Sequence, residues 1–175
     1  EHILLAVIDR LRIIRATDAA WLAGYTDYTY CRKCLRKLCD MGLLQICRDS
    51  AGSNCYYLSG RGLAVLGKQT SHTYEVSATT HHALVVGRVC AWLRHTEGAS
   101  PGELLTDSVL RSKGDKQRHR PDIVFRGHAY EIELNHKPLS LLEKRMKPGE
   151  EYTIYIDPKK PTNFLLQKRV GAGYI

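Results

Sequence analysis

Four groups of side chains in this sequence have the types and spacing to do chemistry. Arg32, Lys33, Arg36 and Lys37, with Tyr28 and Thr29 ahead of them, gather on one side of a helix drawn at about 100° per residue. Cations on such a face meet phosphates, and the hydroxyls beside them reach base edges. A second group is acidic. Glu131, Glu133 and Asn135 alternate with Tyr130, Ile132 and Leu134, and Asp122 precedes the neighbouring apolar run. Two acids side by side on a central strand repel unless a cation lies between them. A third group, Arg111, Lys113, Lys116, Arg118 and Arg120 with His119 beside them, is interrupted only by Asp115. That is the composition of a mobile segment lying along phosphate, or equally of a solvated loop with no partner.

The six cysteines form the fourth group. Cys31-x-x-Cys34 with Cys47 and Cys55 is a conceivable zinc set, but Cys31 and Cys34 sit mid-helix without the tight knuckle turn such sites use. Their place on the apolar stripe reads instead as small hydrophobes, reduced and metal-free. The adjacent pair His81 and His82 point about 100° apart on a helix and cannot easily share one ion.

The elements that must position these groups follow from periodicity. His2 to Ile13 repeats Ile3, Leu4, Val7, Ile8 and Leu11 at helical spacing. Thr17 is the expected N-cap of a short helix, Asp18 to Ala23, with Trp21 and Leu22 in the core, and Gly24 supplies the tight turn that follows. The next helix places Tyr30, Cys31, Cys34, Leu35, Leu38 and Met41 inward and stops at Gly42. Leu43 to Asp49 and Cys55 to Leu58 read as two strands around the turn 50–54, so Ser53 and Asn54 stand at its tip. Two helices, a glycine turn and a hairpin make a winged helix-turn-helix, whose second helix enters the major groove while the wing tip meets an adjacent groove or backbone. Ser59 caps a further helix, in the pattern Tyr57-Leu58-Ser59-x-x-Gly62-x-x-x-Leu66.

Polar residues 68–77 read as a linker, which divides the chain into domains 1–69 and 70–175 with a boundary near Thr70. A helix apolar around most of its circumference, from His82 to Leu93, opens the second domain. Expected after it are a strand at Glu103 to Leu110, a hairpin of Pro121 to Phe125 and His128 to Asn135 around Arg126-Gly127, a helix from Pro138 through Met146, a strand at Tyr152 to Ile156, and a short element from Phe164 to Val170.

The chain has 175 residues, 43% hydrophobic and 25% charged, a formal charge of +8 and a pI near 9.2. Such a chain can bury a core without disulfides, and its positive potential favours a polyanionic partner. No apolar run approaches the roughly 18 residues of a membrane span, and no basic segment leads into a signal-peptide core. The expectation is a cytoplasmic protein with no membrane partner. The chain begins at Glu1 rather than Met, as a piece of a longer protein would.

The order helix, strand, strand with Pro121-Asp122, strand with Glu133-x-Asn135, helix, strand resembles the PD-(D/E)xK nuclease-like core. The resemblance implies an αβββαβ domain in which Asp122 and Glu133 hold a divalent metal; Asn135 stands where that family has a Lys. Lys144, from the following helix, is the candidate to replace it, though catalytic groups tolerate little misplacement. Across nearly its whole length the chain resembles the replication-relaxation family of plasmids and other mobile elements, whose members are DNA binders with an often degenerate second domain. The fold class implied is α+β with an α/β second half.

That resemblance implies a double-stranded DNA-binding accessory protein, acting at an origin of replication or conjugative transfer beside a relaxase or replication initiator. No cofactor is needed for such binding, and a homodimer is compatible with it. A metal-dependent endonuclease resting on Asp122 and Glu133, and a winged-helix repressor of the same element, are the alternatives. Relaxase chemistry is not expected, because its His-hydrophobic-His motif and nucleophilic Tyr are not evident.

Overall fold

The computed structural model describes residues 1–70, 73–114 and 120–134, and the strand backbones 152–156, 165–170 and 173–174. The protein is mixed α+β: the described residues form six helices and two sheets, in two compact units, Glu1–Pro101 and Gly102–Ile175. No helix among them is long and apolar enough to cross a membrane.

The first unit opens with α1 (His2–Leu11), whose Leu4, Leu5, Val7, Ile8 and Leu11 form one buried stripe. Then comes β1 (Ile13–Arg15), a strand that the periodicity did not separate from α1. The second helix, α2, spans Ala16–Leu22. It begins earlier than expected, with Arg15 at the N-cap position, so Thr17 lies inside the helix and does not cap it. Gly24 makes the turn to α3 (Tyr28–Asp40) at φ 75, in the left-handed region that glycine adopts without strain. β2 (Leu44–Arg48) and β3 (Asn54–Leu58) form the expected hairpin, and β1 pairs with the far side of β3 to complete an antiparallel sheet in the order β1-β3-β2.

α4 (Gly60–Val65) is locked to the base of that hairpin by two residues. The Ser59 hydroxyl accepts from the Gly62 N–H at 3.0 Å and lies 2.6 Å from the Gly42 carbonyl oxygen, to which it donates. Gly62 sits so close to the hairpin that a methyl group there would collide with the Leu43 carbonyl oxygen and stand 3.1 Å from Leu58 Cδ2. This explains why the sequence carries serine and glycine at that spacing.

α5 (Thr80–Glu97), expected to open the second domain beyond a boundary near Thr70, lies within the first compact unit. It buries Leu84, Val85, Val89 and Leu93, as its composition implied, but it does so against α2 and β1 of the first unit. Polar links reinforce the packing. Arg88 Nε donates to Asp18 Oδ1 at 2.7 Å, and Arg94 Nε donates to the Trp21 carbonyl at the C-terminal end of α2 at 2.8 Å. Asp18 is buried on α2 and its Oδ2 has no hydrogen-bond partner among the described residues. Burial therefore raises its pKa above the ordinary carboxylate value, although Arg88 pulls the other way. Trp21 corrects another expectation: Leu22 is in the core, but Trp21 is 48% exposed and packs on His95 at a ring separation of 4.3 Å.

The second unit is a sheet in the order β4-β5-β6-β7-β8-β9. Its strands are β4 (Leu105–Thr106), β5 (Ile123–Phe125), β6 (His128–Glu133), β7 (Tyr152–Ile156), β8 (Leu165–Val170) and β9 (Gly173–Tyr174). The β6·β7 pair is parallel and the others are antiparallel. The expected strand at Glu103 to Leu110 is instead the short β4 followed by α6 (Asp107–Ser112). Asp107 begins that helix and holds Arg111 one turn on at 2.8 Å, a local pairing that favours helix over strand. The β5–β6 hairpin turns at Arg126 and Gly127 with φ 50 and 78, the two positive values of a tight two-residue turn. The helix expected from Pro138 lies outside the described residues.

Two helical glycines should respond oppositely to alanine. Gly62→Ala should destabilise by about 3 kcal/mol through the backbone clash. Gly87→Ala should stabilise by about 1 kcal/mol, because a methyl group at this position in α5 meets Ile14 and Leu11 at an ordinary 3.8 Å. Urea denaturation of both variants checks the signs. Asp18 gives a pH prediction. Its raised folded-state pKa means that its contribution to stability is fully present below about pH 4, the ordinary unfolded value, and is lost as pH rises through the raised value. Asp18→Asn cannot ionise, so its stability relative to wild type should climb over that window; a flat difference across a pH series of melts would contradict the burial argument.

Candidate nucleic-acid interface

Asp27 starts α3 by accepting from the Thr29 N–H at 2.7 Å and the Tyr30 N–H at 3.2 Å, which satisfies two of the donors that a helix start leaves free. Cys31, Cys34, Leu35 and Leu38 face inward and fix the rotation of the helix. Tyr28, Thr29, Arg32, Lys33, Arg36 and Lys37 are consequently all exposed. The Arg32 guanidinium lies 5.9 Å from the Tyr28 ring centroid. Lys37 Nζ is 2.8 Å from Glu1 Oε1, and this hydrogen bond raises the Lys37 pKa and lowers that of Glu1. No described residue forms an ion pair with Arg32, Lys33 or Arg36, so their charge faces solvent.

The inward stripe is narrower than expected. Tyr30 and Met41 are 57% and 44% exposed, where the wheel had placed them with the core. Tyr30 is in the first turn, with its ring 5.8 Å from that of Tyr25, while Met41 is the C-cap residue at the end of the helix.

The hairpin tip beside α3 is held by one side chain. Asp49 Oδ1 accepts from the Ala51 N–H at 2.9 Å and the Ser53 N–H at 2.8 Å, and its Oδ2 accepts from Arg15 Nε at 2.7 Å. Burial pushes the Asp49 pKa up, but the bonds from Arg15, Ser53 and Ala51 together hold it below the ordinary value. Ser53 and Asn54 are exposed at the tip. Arg15 can reach Asp49 because β1 extends the sheet, so the anchor of the tip comes from the strand that periodicity missed.

In the second unit, antiparallel pairing of Ile123 with Tyr130 brings Asp122 and Glu133 to the same end of the β5–β6 hairpin, opposite its turn. Continued one step, that register sets Asp122 across from Glu131, and strand alternation gives Glu131 and Glu133 one face. Asp122 Oδ2 accepts the Ile132 N–H at 2.8 Å, and Glu133 is only 7% exposed. These acids are of the oxygen type that Mg²⁺ takes. No three His, Cys, Asp or Glu side chains among the described residues gather as ligands would. Asn135 and Lys144 lie outside the described residues.

The basic segment is more structured than expected at its two ends. Arg111 belongs to α6, and Arg120, 14% exposed, is 2.7 Å from Asp107, the same carboxylate that holds Arg111. Burial raises the Asp107 pKa, and the hydrogen bonds from Arg120 and Arg111 outweigh it to leave the net shift downward. Arg120 is thus tied to the start of α6 by an ion pair. Lys113 is exposed, while Lys116 and Arg118 lie outside the described residues.

Sequence reasoning passed over Asp27, Asp49 and Arg15, which position the interface without being part of its charge. Asp27 carried a usable signal, an Asp immediately before a helical pattern. Asp49 next to the Ser50-Ala51-Gly52-Ser53-Asn54 turn carried another. Arg15 carried none. No protein-family model matches this chain, and no curated protein or solved structure matches it.

Proposed function

We propose that the first unit is a winged helix-turn-helix that binds double-stranded DNA, with α3 as the recognition helix and the 50–54 turn as the wing tip. The chain as a whole is read as a non-enzymatic accessory protein of a plasmid or other mobile element, working at an origin of replication or transfer beside a relaxase or replication initiator. One observation carries the DNA reading: Arg32, Lys33 and Arg36 project into solvent from a helix whose opposite face is locked in the core. The origin assignment rests on the resemblance carried by Arg120-Pro121-Asp122 and Tyr130-x-x-Glu133-Leu134-Asn135.

The second unit is read as a nuclease-like fold that has kept its frame. The β5–β6 register, which brings Asp122 and Glu133 to the same end of a hairpin, favours a second reading, a metal-dependent endonuclease. Mg²⁺ or Mn²⁺, when bound to such acids, would neutralise charge developing on a phosphate. Against turnover stands Asn135, in the place where the nuclease-like family it resembles has a Lys.

Replacing Arg32 and Arg36 together by Ala should weaken binding to a mixed-sequence duplex and reduce the slope of log K against log salt by about 2, one for each lost phosphate contact. Fluorescence anisotropy across a salt series measures this; an unchanged slope would remove α3 from the interface. Supercoiled plasmid incubated with the protein in Mg²⁺ or Mn²⁺ should stay intact. Nicking that Asp122→Ala and Glu133→Ala both abolish would establish the endonuclease instead.

A further inference from the structure

The β2–β3 hairpin sets Cys47 directly opposite Cys55. Two backbone bonds identify the kind of pair they form. Asp49 N–H donates to the Ser53 carbonyl at 3.0 Å, and Ser59 N–H donates to the Leu43 carbonyl at 3.0 Å, so positions 49/53 and 43/59 belong to the hydrogen-bonded class. Pairs alternate in an antiparallel ladder, which puts 47/55 in the same class. Opposed Cα atoms there are about 5.5 Å apart, inside the span of roughly 4.4 to 6.8 Å that a disulfide bridges. The Cβ atoms of a hydrogen-bonded pair, at about 5.5 Å, are wider than the roughly 3.5 to 4.5 Å it prefers. A disulfide at this site needs only a slight pinch of the strands, and the strain makes it easy to reduce.

The side chains are already together. Cys47 packs on the buried cluster of Ile13, Cys55 and Leu84, and the Cys55 thiol donates to the Ser53 carbonyl at 3.6 Å. Cys47 is half-buried and reachable, whereas Cys55 is fully enclosed. The other four cysteines lack this arrangement. Cys31 and Cys34 lie a turn apart on α3 and could bond only by distorting it; Cys39 and Cys90 are on different helices.

We infer that Cys47 and Cys55 are a dithiol site that small-molecule disulfides of the glutathione type oxidise to a reversible cross-strand bond. The Cys47 thiolate attacks one sulfur of the small disulfide, forming a mixed disulfide and releasing one thiolate. The Cys55 sulfur, having given up its proton to solvent, attacks the Cys47 sulfur and releases the second. The protein loses two electrons and two protons, and the small disulfide becomes two thiols. Burial raises the pKa of both protein thiols, that of Cys55 to about 12, which slows the exchange at neutral pH. This site is independent of what the first unit binds.

The test is incubation of the full chain with oxidised glutathione, quenching by iodoacetamide in denaturant, and mass spectrometry after cleavage before Asp40 and Asp49 and after Arg61 and Arg88, which separates Cys39, Cys47, Cys55 and Cys90. A product two hydrogens lighter, a linked Cys47–Cys55 peptide pair, four remaining alkylatable thiols and full reversal by dithiothreitol are expected. Cys55→Ser should accumulate a glutathione adduct on Cys47, and Cys47→Ser should react at least tenfold more slowly. The wild-type map alone decides if either variant misfolds. An unresolved adduct on wild type, a bond between two chains, a bond using Cys31 or Cys34, or no reaction would each overturn the inference.

Discussion

Burying the carboxylate of Asp18 is the constraint on which the first unit depends. An ionised carboxylate out of water costs several kcal/mol unless a cation accompanies it, and the cation here is Arg88, 70 residues further along the chain. α5 must therefore lie against α2, and its apolar residues Leu84, Val89 and Leu93 follow into the core. Arg94 adds a second tie at the last carbonyls of α2, where a cation also suits the helix dipole. What precedes the α2–α3 turn is thereby held from behind, and the basic face of α3 inherits its direction from a helix that carries none of its charge.

The hairpin is secured separately, at its two ends. At the base, the absent side chain of Gly62 lets α4 sit on the Leu43 backbone while Ser59 bridges the strands to that helix. At the tip, Asp49 gathers two backbone N–H groups and Arg15. The Cys47–Cys55 pair lies between these two fixed points.

Much of this was legible in the sequence wherever a local pattern sufficed. The wheel around Cys31, Cys34, Leu35 and Leu38 found the buried stripe of α3, and alternation found β2, β3, β5, β6 and β7 to within a residue or two. Reasoning failed where partners are distant. β1 is three residues long and continues the apolar run of α1, so nothing local separates them. α5 was recognisable as buried, but not as buried against α2, because the deciding contact joins residues 18 and 88. The acids of the second unit were found by strand parity, whereas the engagement of Asp122 with the Ile132 N–H depends on cross-strand register. Arg120 read as one cation among many until Asp107 proved to be its counterpart.

The Asp49 cradle has a consequence for recognition kinetics. A five-residue surface turn ordinarily samples many conformations, and freezing them on contact consumes part of the association free energy. Here the turn between the strands has already lost that freedom on folding, since Ala51 and Ser53 are tied to a carboxylate that Arg15 fixes in turn. Whatever surface meets this tip meets a rigid body, so its fit is decided by shape before encounter and not by rearrangement after it.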